Sequence, residues 1–446
     1  MNEEFQWQCH PEAEQLLIEN LNGFVEANKT LSRLKDDLYR LTSTRLFDWI
    51  DHLILRDQGN IQTRMKELGF VLSQEGVFYH PGAQFPRIVL RKDPNQPIGV
   101  AVLVDSIDNF LMVHGGTTQS IEGSFFGGYR RSCFALEKGV GLWVVERRGN
   151  LALEPTQESP EEILLFCKAL ERWATSPRDQ LDEAAGLEER IKLAEELVNS
   201  VGRDRAAWTV LEVERKYWQS KNRAGQLQKN RQDRVGMGWA NHDHHTFRSS
   251  RKNFHRLVHL FEILGFKCRE RFYAGSEAGW GAQVMENPNC RLVLFLDVDL
   301  SAEELFGDFA HFPLPELPQL GTIGLWCALH GDSILKSGMH HLEAQFMFEE
   351  LSSDLADVGV KMMHPFSDFS YLKQAFTTGE IWSVPLARVE KLLKQGKITE
   401  DQAKKFLKEG ALGSHLENLQ RREGFKGFNQ TNVSQIIKKT DPRAQA

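Results

Sequence analysis

The chain has 446 residues with 41% hydrophobic and 26% charged content, enough for two or three domains with real cores. A formal net charge of −7 lacks the basic face that general nucleic-acid binding needs. Six cysteines without a C-x-x-C pair suggest neither a disulfide framework nor a zinc knuckle, and no apolar run approaches the ~20 residues that span a bilayer, so a reducing cytoplasm and no membrane are expected.

Residues 11–42 read as helix, since Leu16, Leu17, Leu21, Phe24, Leu31, Leu34 and Leu38 keep a helical period between charges. A strand then opens on Asp51-His52 and closes at Arg56, with His52 and Ile54 on one side. An amphipathic helix follows and stops at Leu68-Gly69-Phe70. Strands are expected at Val77-Phe78-Tyr79, Arg87–Leu90 and Ile98–Val104, the last two joined by a turn at Asp93-Pro94-Asn95, with Asp105 at the end. The order is β-α-β-β-β.

The same landmarks return later in the chain. Asp243-His244-His245-Thr246-Phe247-Arg248 repeats the strand, Leu264-Gly265-Phe266 the helix stop, Asn287-Pro288-Asn289 the turn and Asp297 the final acid. A near-constant offset of matched landmarks indicates two diverged copies of one unit. Gly141-Leu142-Trp143 is read as the partner of Gly324-Leu325-Trp326, each followed by a helix, the second one over His340–Leu355. On that helix His340, His341 and Glu343 read as a surface cluster. Residues 176–234 are charged and helix-prone, and their basic run lacks the interleaved aromatics of a nucleic-acid site.

The chain therefore divides into an N-terminal helical segment (1–42), a first half (43–175), a helical connector (176–234), a second half (235–383) and a C-terminal helical hairpin with a polar tail (384–446). The fold class is α+β: duplicated β-α-β-β-β modules forming a cupped sheet or half-barrel pair, with helices added at the N-terminus, the connector and the C-terminus.

Paired modules with a histidine on the first strand resemble the vicinal oxygen chelate superfamily, which includes glyoxalase and the extradiol and hydroxyphenylpyruvate-type dioxygenases. The residues that carry this are Asp51-His52, Leu68-Gly69-Phe70 and Asp93-Pro94-Asn95 with their later counterparts. The resemblance implies one divalent metal held by first-strand residues and a last-strand glutamate. His52 and His244 would be two ligands, with His242 as the substitute for the second. Neither Ile98–Val102 nor Arg291–Phe295 contains the glutamate, which leaves Asp105, Asp297 or Glu146 as the third ligand. Glu146-Arg147-Arg148-Gly149 is similar to a Glu-Gln-Arg-Gly stretch of the 2-oxoadipate dioxygenase/decarboxylase family.

Arg56 and Arg248 share the strand face of the histidines and would hold a substrate carboxylate bidentately. The resulting expectation is a mononuclear Fe(II)-dependent dioxygenase acting on a small 2-oxo acid or chelating carboxylate, with no nucleic-acid partner and room for a homodimer. The alternatives are a metal-dependent lyase or isomerase, and a non-catalytic binding or assembly protein that has lost its metal site.

Overall fold

The computed structural model describes residues 7–116, 118–178, 182–429 and 440–443. The first half begins with β1 (Ile50–Arg56), helix Ile61–Glu67, β2 (Val71–Gln74), β3 (Val77–Tyr79) and β4 (Arg87–Arg91). It continues with β5 (Ile98–Leu103), helix Ile107–Val113, β6 (Tyr129–Glu137) and β7 (Val140–Arg147). These strands form one sheet in the order β2-β3-β4-β1-β5-β7-β6.

The second half repeats and completes this plan. It holds β8 (His242–Arg248), helix Phe254–Ile263, β9 (Lys267–Tyr273), β10 (Trp280–Asn287) and β11 (Leu292–Asp299). After the helix Thr322–His330 come β12 (His341–Ala344), helix Phe348–Asp357, β13 (Ser367–Phe369) and β14 (Leu372–Phe376). A small ribbon of β15 (Ile381–Trp382) and β16 (Ala411–Leu412) brackets helices Leu386–Lys394 and Glu400–Glu409, and β17 (His415–Arg421) follows. The sheet order is β13-β14-β17-β12-β8-β11-β10-β9.

Read from the centre outward, this half is two complete β-α-β-β-β modules whose first strands, β8 and β12, pair antiparallel. The first half has the same arrangement about β1 and β5, with one strand fewer. Duplicated modules with added helices are thus the architecture, as the sequence implied.

Two repeated signatures have a clear local cause. In Leu68-Gly69-Phe70 and Leu264-Gly265-Phe266 the glycine takes φ of +89° and +86°, a conformation that costs glycine little. The phenylalanine N–H then reaches back to the Met65 and Phe261 carbonyls, closing a Schellman cap. Phe70 and Phe266 are buried in their respective cores. The Asp-His pair marks a β-bulge in both halves. The pairing of β1 with β5 slips between Ile50 and His52, and that of β8 with β12 slips between His242 and His244. The bulge turns Asp51 and Asp243 out of the regular alternation.

The outer sheet faces are apolar. Leu53, Val100 and Leu142 join the core under the N-terminal helices, while Phe247, Leu342 and Leu416 join the core under the connector helices. The N-terminal segment is two helices, Pro11–Ala27 and Lys29–Thr42. They meet at Asn28, which caps the second and donates to the Val140 carbonyl. No helix among the described residues is long and apolar enough to cross a membrane.

Several expectations change. Residues His341–Ala344 are a strand, and the helix starts only at Phe348. The expected tail contains β17, a strand in the interior of the second sheet, so the second half extends past residue 383 to Arg421. Gly141-Leu142-Trp143 lies in β7 but Gly324-Leu325-Trp326 in a helix, so the two are not counterparts. The two Pro-Asn turns also differ, one linking β4 to β5 and the other β10 to β11. Register makes Arg91, not Asp105, the counterpart of Asp297.

Candidate metal centre

Alternation along a strand puts His244, Thr246 and Arg248 of β8 on the inner face of the second sheet. Cross-strand register then aligns His244 with Glu343 on β12, and Glu343 with Glu417 on β17. One row over three adjacent strands thus reads His-Glu-Glu. The next row reads Thr246, His341 and His415.

These side chains converge. One ligand atom each from His244, Glu343 and Glu417 lies within 4.8 Å of the others, and all three residues are buried. His244 Nε2 is 2.6 Å from Glu343 Oε1, and His341 Nε2 is 2.7 Å from the same oxygen and 3.5 Å from Glu417 Oε2.

The residues behind the row define its chemistry. His244 Nδ1 lies 3.0 Å from Asp243 Oδ1, and Asp243 receives Nε and Nη2 of Arg421 at 3.1 and 3.2 Å. Arg421 holds Asp243 far below the usual carboxylate range against the effect of burial. An ionised Asp243 accepts a hydrogen bond from Nδ1–H, which leaves Nε2 of the neutral ring with a lone pair facing Glu343 Oε1. Two lone pairs at that distance need a proton or a cation between them.

Burial, reinforced by the Glu417 charge, pushes Glu343 well above its ordinary value, and burial raises Glu417 to about 8. Burial also lowers His244 to about 4, opposed by Asp243. Glu343 Oε2, His340 Nε2, His415 Nε2, Arg248 Nε and Nη1, and Asp297 Oδ1 are buried without a hydrogen-bond partner among the described residues. Each such atom costs roughly 1–3 kcal/mol. A donor set of imidazole and carboxylate with orphaned buried atoms around it fits a divalent cation.

The first half keeps the scaffold but not the donors. His52 Nδ1 is 2.7 Å from Asp51 Oδ2, and Arg147 binds Asp51 at 2.5 and 2.8 Å. By register Arg147 is the counterpart of Arg421, and Ala101 and Trp143 stand where Glu343 and Glu417 stand in the second half. Ala101, Tyr129 and Val145 form an apolar interior there, with Trp143 packed against it.

His52 and His244 therefore occupy matched places in different sheets and are not brought to one centre. Glu146 is not beside either. It is buried and engaged by Arg130 at 3.1 Å, Arg148 at 2.6 Å and the Ile107 N–H at 2.6 Å. Asp105 binds Arg215 and the Trp239 N–H. His242 contacts the Trp239 carbonyl. Arg56 is spent on the Asp93 and Gln96 carbonyls of an exposed turn.

Arg248 lies on the inner face as expected, buried 3.8 Å from Asp297 and with its guanidinium 5.4 Å from the Trp326 ring centroid. From the sequence, His341 and Glu343 read as a surface cluster on a helix, whereas they lie buried on a strand, and Glu417 was missed altogether. Met339-His340-His341-Leu342 carries the same first-strand signal as Asp243-His244, and could have marked a further module.

Fold and donor set together define an α+β protein of two half-barrel-like halves, one of which holds a convergent His/Glu group. No family model matches the sequence, and no curated protein matches it. Among solved structures, a mutant of 4-hydroxymandelate synthase from Streptomyces coelicolor is similar at 13% identity, over 79% of this chain and 100% of that one, with a TM-score of 0.31. Methylmalonyl-CoA epimerase from Mycobacterium tuberculosis is similar at 10% identity over 41% of this chain and 87% of that one, with a TM-score of 0.24. An uncharacterized Shigella flexneri protein is similar at 11% identity over 53% and 73%, also at 0.24. At TM-scores this low the likenesses carry no argument, and the architecture rests on the strand order and register above.

Proposed function

We propose that the chain is a mononuclear divalent-metal enzyme, with His244, Glu343 and Glu417 as donors and His341 as the fourth. The observation that carries this reading is the His-Glu-Glu row across β8, β12 and β17, with His244 Nε2 left unprotonated by Asp243. The row also restores the last-strand glutamate, as Glu417, whose absence favoured a protein that has lost its site.

A bound divalent metal supplies a Lewis-acidic centre for a chelating substrate and, as Fe(II), the means of activating O₂. The chain's own residues do the rest. Asp243 and Arg421 fix the ring of His244 and its tautomer. Arg248, four residues along β8 on the same face, has Nε and Nη1 without a hydrogen-bond partner among the described residues and would anchor a substrate carboxylate. Phe295 and Phe428 lie with ring centroids 4.7 and 4.8 Å from that of His244 and keep water from it.

The finer reading is an Fe(II)-dependent dioxygenase acting on a small 2-oxo acid. A lyase or isomerase reading has one observation in its favour: a second carboxylate, Glu343, makes the donor set oxygen-rich and suited to a harder ion such as Mn(II). Anaerobic metal loading followed by elemental analysis and an oxygen electrode, over a panel of 2-oxo acids, tests both. About one metal ion per chain, lost in His244→Ala, is expected. Oxygen uptake selects the dioxygenase, and anaerobic substrate turnover selects the Lewis-acid reading. Metal below about 0.2 per chain, unchanged by His244→Ala, would sink both.

A further inference from the structure

A cavity of about 920 Å³ lies between the two halves and is lined by residues of both. Among the described residues its lining holds eleven Arg and Lys against seven Asp and Glu, in a chain whose net charge is −7. That surplus is sharpest beside one of the two bulge aspartates.

The two bulges differ in one respect. Each aspartate is served by the arginine at the matched register, Asp51 by Arg147 and Asp243 by Arg421. Around Asp243 the other partners are neutral: Gln84 at 2.9 Å and Gln345 at 3.4 Å. Around Asp51 two further guanidiniums arrive, Arg291 Nη1 at 3.3 Å and Arg87 Nη2 at 3.8 Å. The counterpart of Arg87 by register is Val293. One carboxylate thus faces three guanidiniums, and all three line the cavity.

Arg147 is committed to Asp51, Arg87 gives only its Nη1 to the Leu151 carbonyl at 2.7 Å, and Arg291 reaches Asp51 through Nη1 alone. Arg87 Nε and Nη2 are buried without a hydrogen-bond partner among the described residues. Burial, with the charges of Arg147 and Arg291 acting against that of Asp51, brings Arg87 down to about 10. Three guanidiniums sharing one carboxylate leave an excess of positive charge in the cleft, which favours a further counter-charge.

We propose that this cavity binds a small molecule bearing an oxyanion, phosphate or carboxylate, held by Arg87 and Arg291. Guanidinium forks match the geometry of both groups. Trp208 and Phe126 line the same cavity, stacked by Arg148 at 5.9 and 5.5 Å, and give a planar remainder of the ligand a surface. The volume suits a metabolite-sized molecule, for which sites span roughly 300–1,000 Å³. His244, Glu343 and Glu417 do not line the cavity, although Asp243, Arg421 and Phe428 do, so the oxyanion site borders the metal centre without including its donors.

The test is calorimetric titration of the full chain with inorganic phosphate, pyrophosphate and citrate, at fixed ionic strength and with chloride as the control. Saturable binding of one ligand per chain is expected, and the phosphate and citrate arms separate the two sources of the oxyanion. Arg87→Gln and Arg291→Gln should each weaken binding about tenfold or more, with circular dichroism unchanged. Arg291 is partly exposed, so its variant keeps the test usable if Arg87→Gln fails to fold. Glu417→Gln should leave binding intact, which separates this outcome from that of the metal centre. Heats no larger than those of the chloride control, or affinity unmoved by Arg291→Gln, would overturn the proposal.

Discussion

Glu417→Gln should stabilise the metal-free protein while abolishing its response to metal. Without a cation, the fold buries Glu417 beside Glu343, and burial raises Glu417 from 4.5 to about 8. A carboxyl group raised in this way binds its proton more tightly in the folded chain than in the unfolded one. The stability it contributes is complete below pH 4.5 and is lost as pH rises toward 8. At pH 7 the gap is about 2.5 units, or on the order of 3 kcal/mol. Gln keeps the shape, can still meet the Gln374 side chain that donates to Glu417 at 3.1 Å, and carries no ionisation cost. The metal-free variant should therefore exceed the wild type by up to about 3 kcal/mol at pH 7, and its advantage should shrink toward pH 5. Denaturant melts in chelator, repeated with saturating Mn(II) or anaerobic Fe(II), measure both effects. The wild type should gain stability on metal addition, and the variant should not. A metal-free variant less stable than wild type at pH 7, with the metal response preserved, would refute the argument.

Two more substitutions separate structural from metal-binding duties. Glu146→Gln should leave metal content unchanged but cost about 3–5 kcal/mol in a denaturant melt, because Arg130 and Arg148 lose their buried counter-charge. Arg421→Gln should weaken metal affinity roughly 10–100-fold in a chelator competition, since Asp243 no longer orients His244. Arg147→Gln, at the matched register of the first half, should leave that affinity where it is.

The parts of the molecule that could be read from the sequence are those with local causes. A Schellman cap and an Asp-His bulge write the same few residues wherever they occur, so the doubling of the unit was visible. The donor row was not, because it is assembled by strand pairing between distant segments. His341–Ala344 is only four residues long, and its neighbours through Leu355 keep a helical spacing, so the period-two signal was lost in a longer pattern. Glu417 follows two helices, in a region whose polarity suggested a tail. Only pairing with β12 shows that it is interior. The Pro-Asn turns misled for the opposite reason: they are general turn chemistry, and their equal spacing did not reflect equal places in the sheet. Glu146 was chosen from a local motif, whereas its role is set by Arg130, which arrives from the neighbouring strand β6.

The two halves also brace one another. Gln84, from the first half, donates to Asp243 of the second, and Arg291, from the second, donates to Asp51 of the first. The carboxylate that fixes the tautomer of His244 is thus partly held by a half that shows no convergent donor set of its own among the described residues. The first half fills its own interior with Ala101 and Trp143, yet the loop that carries Gln84 still serves the other half's Asp243. Severed from that loop, the second half would retain its three donors and lose part of what aims them.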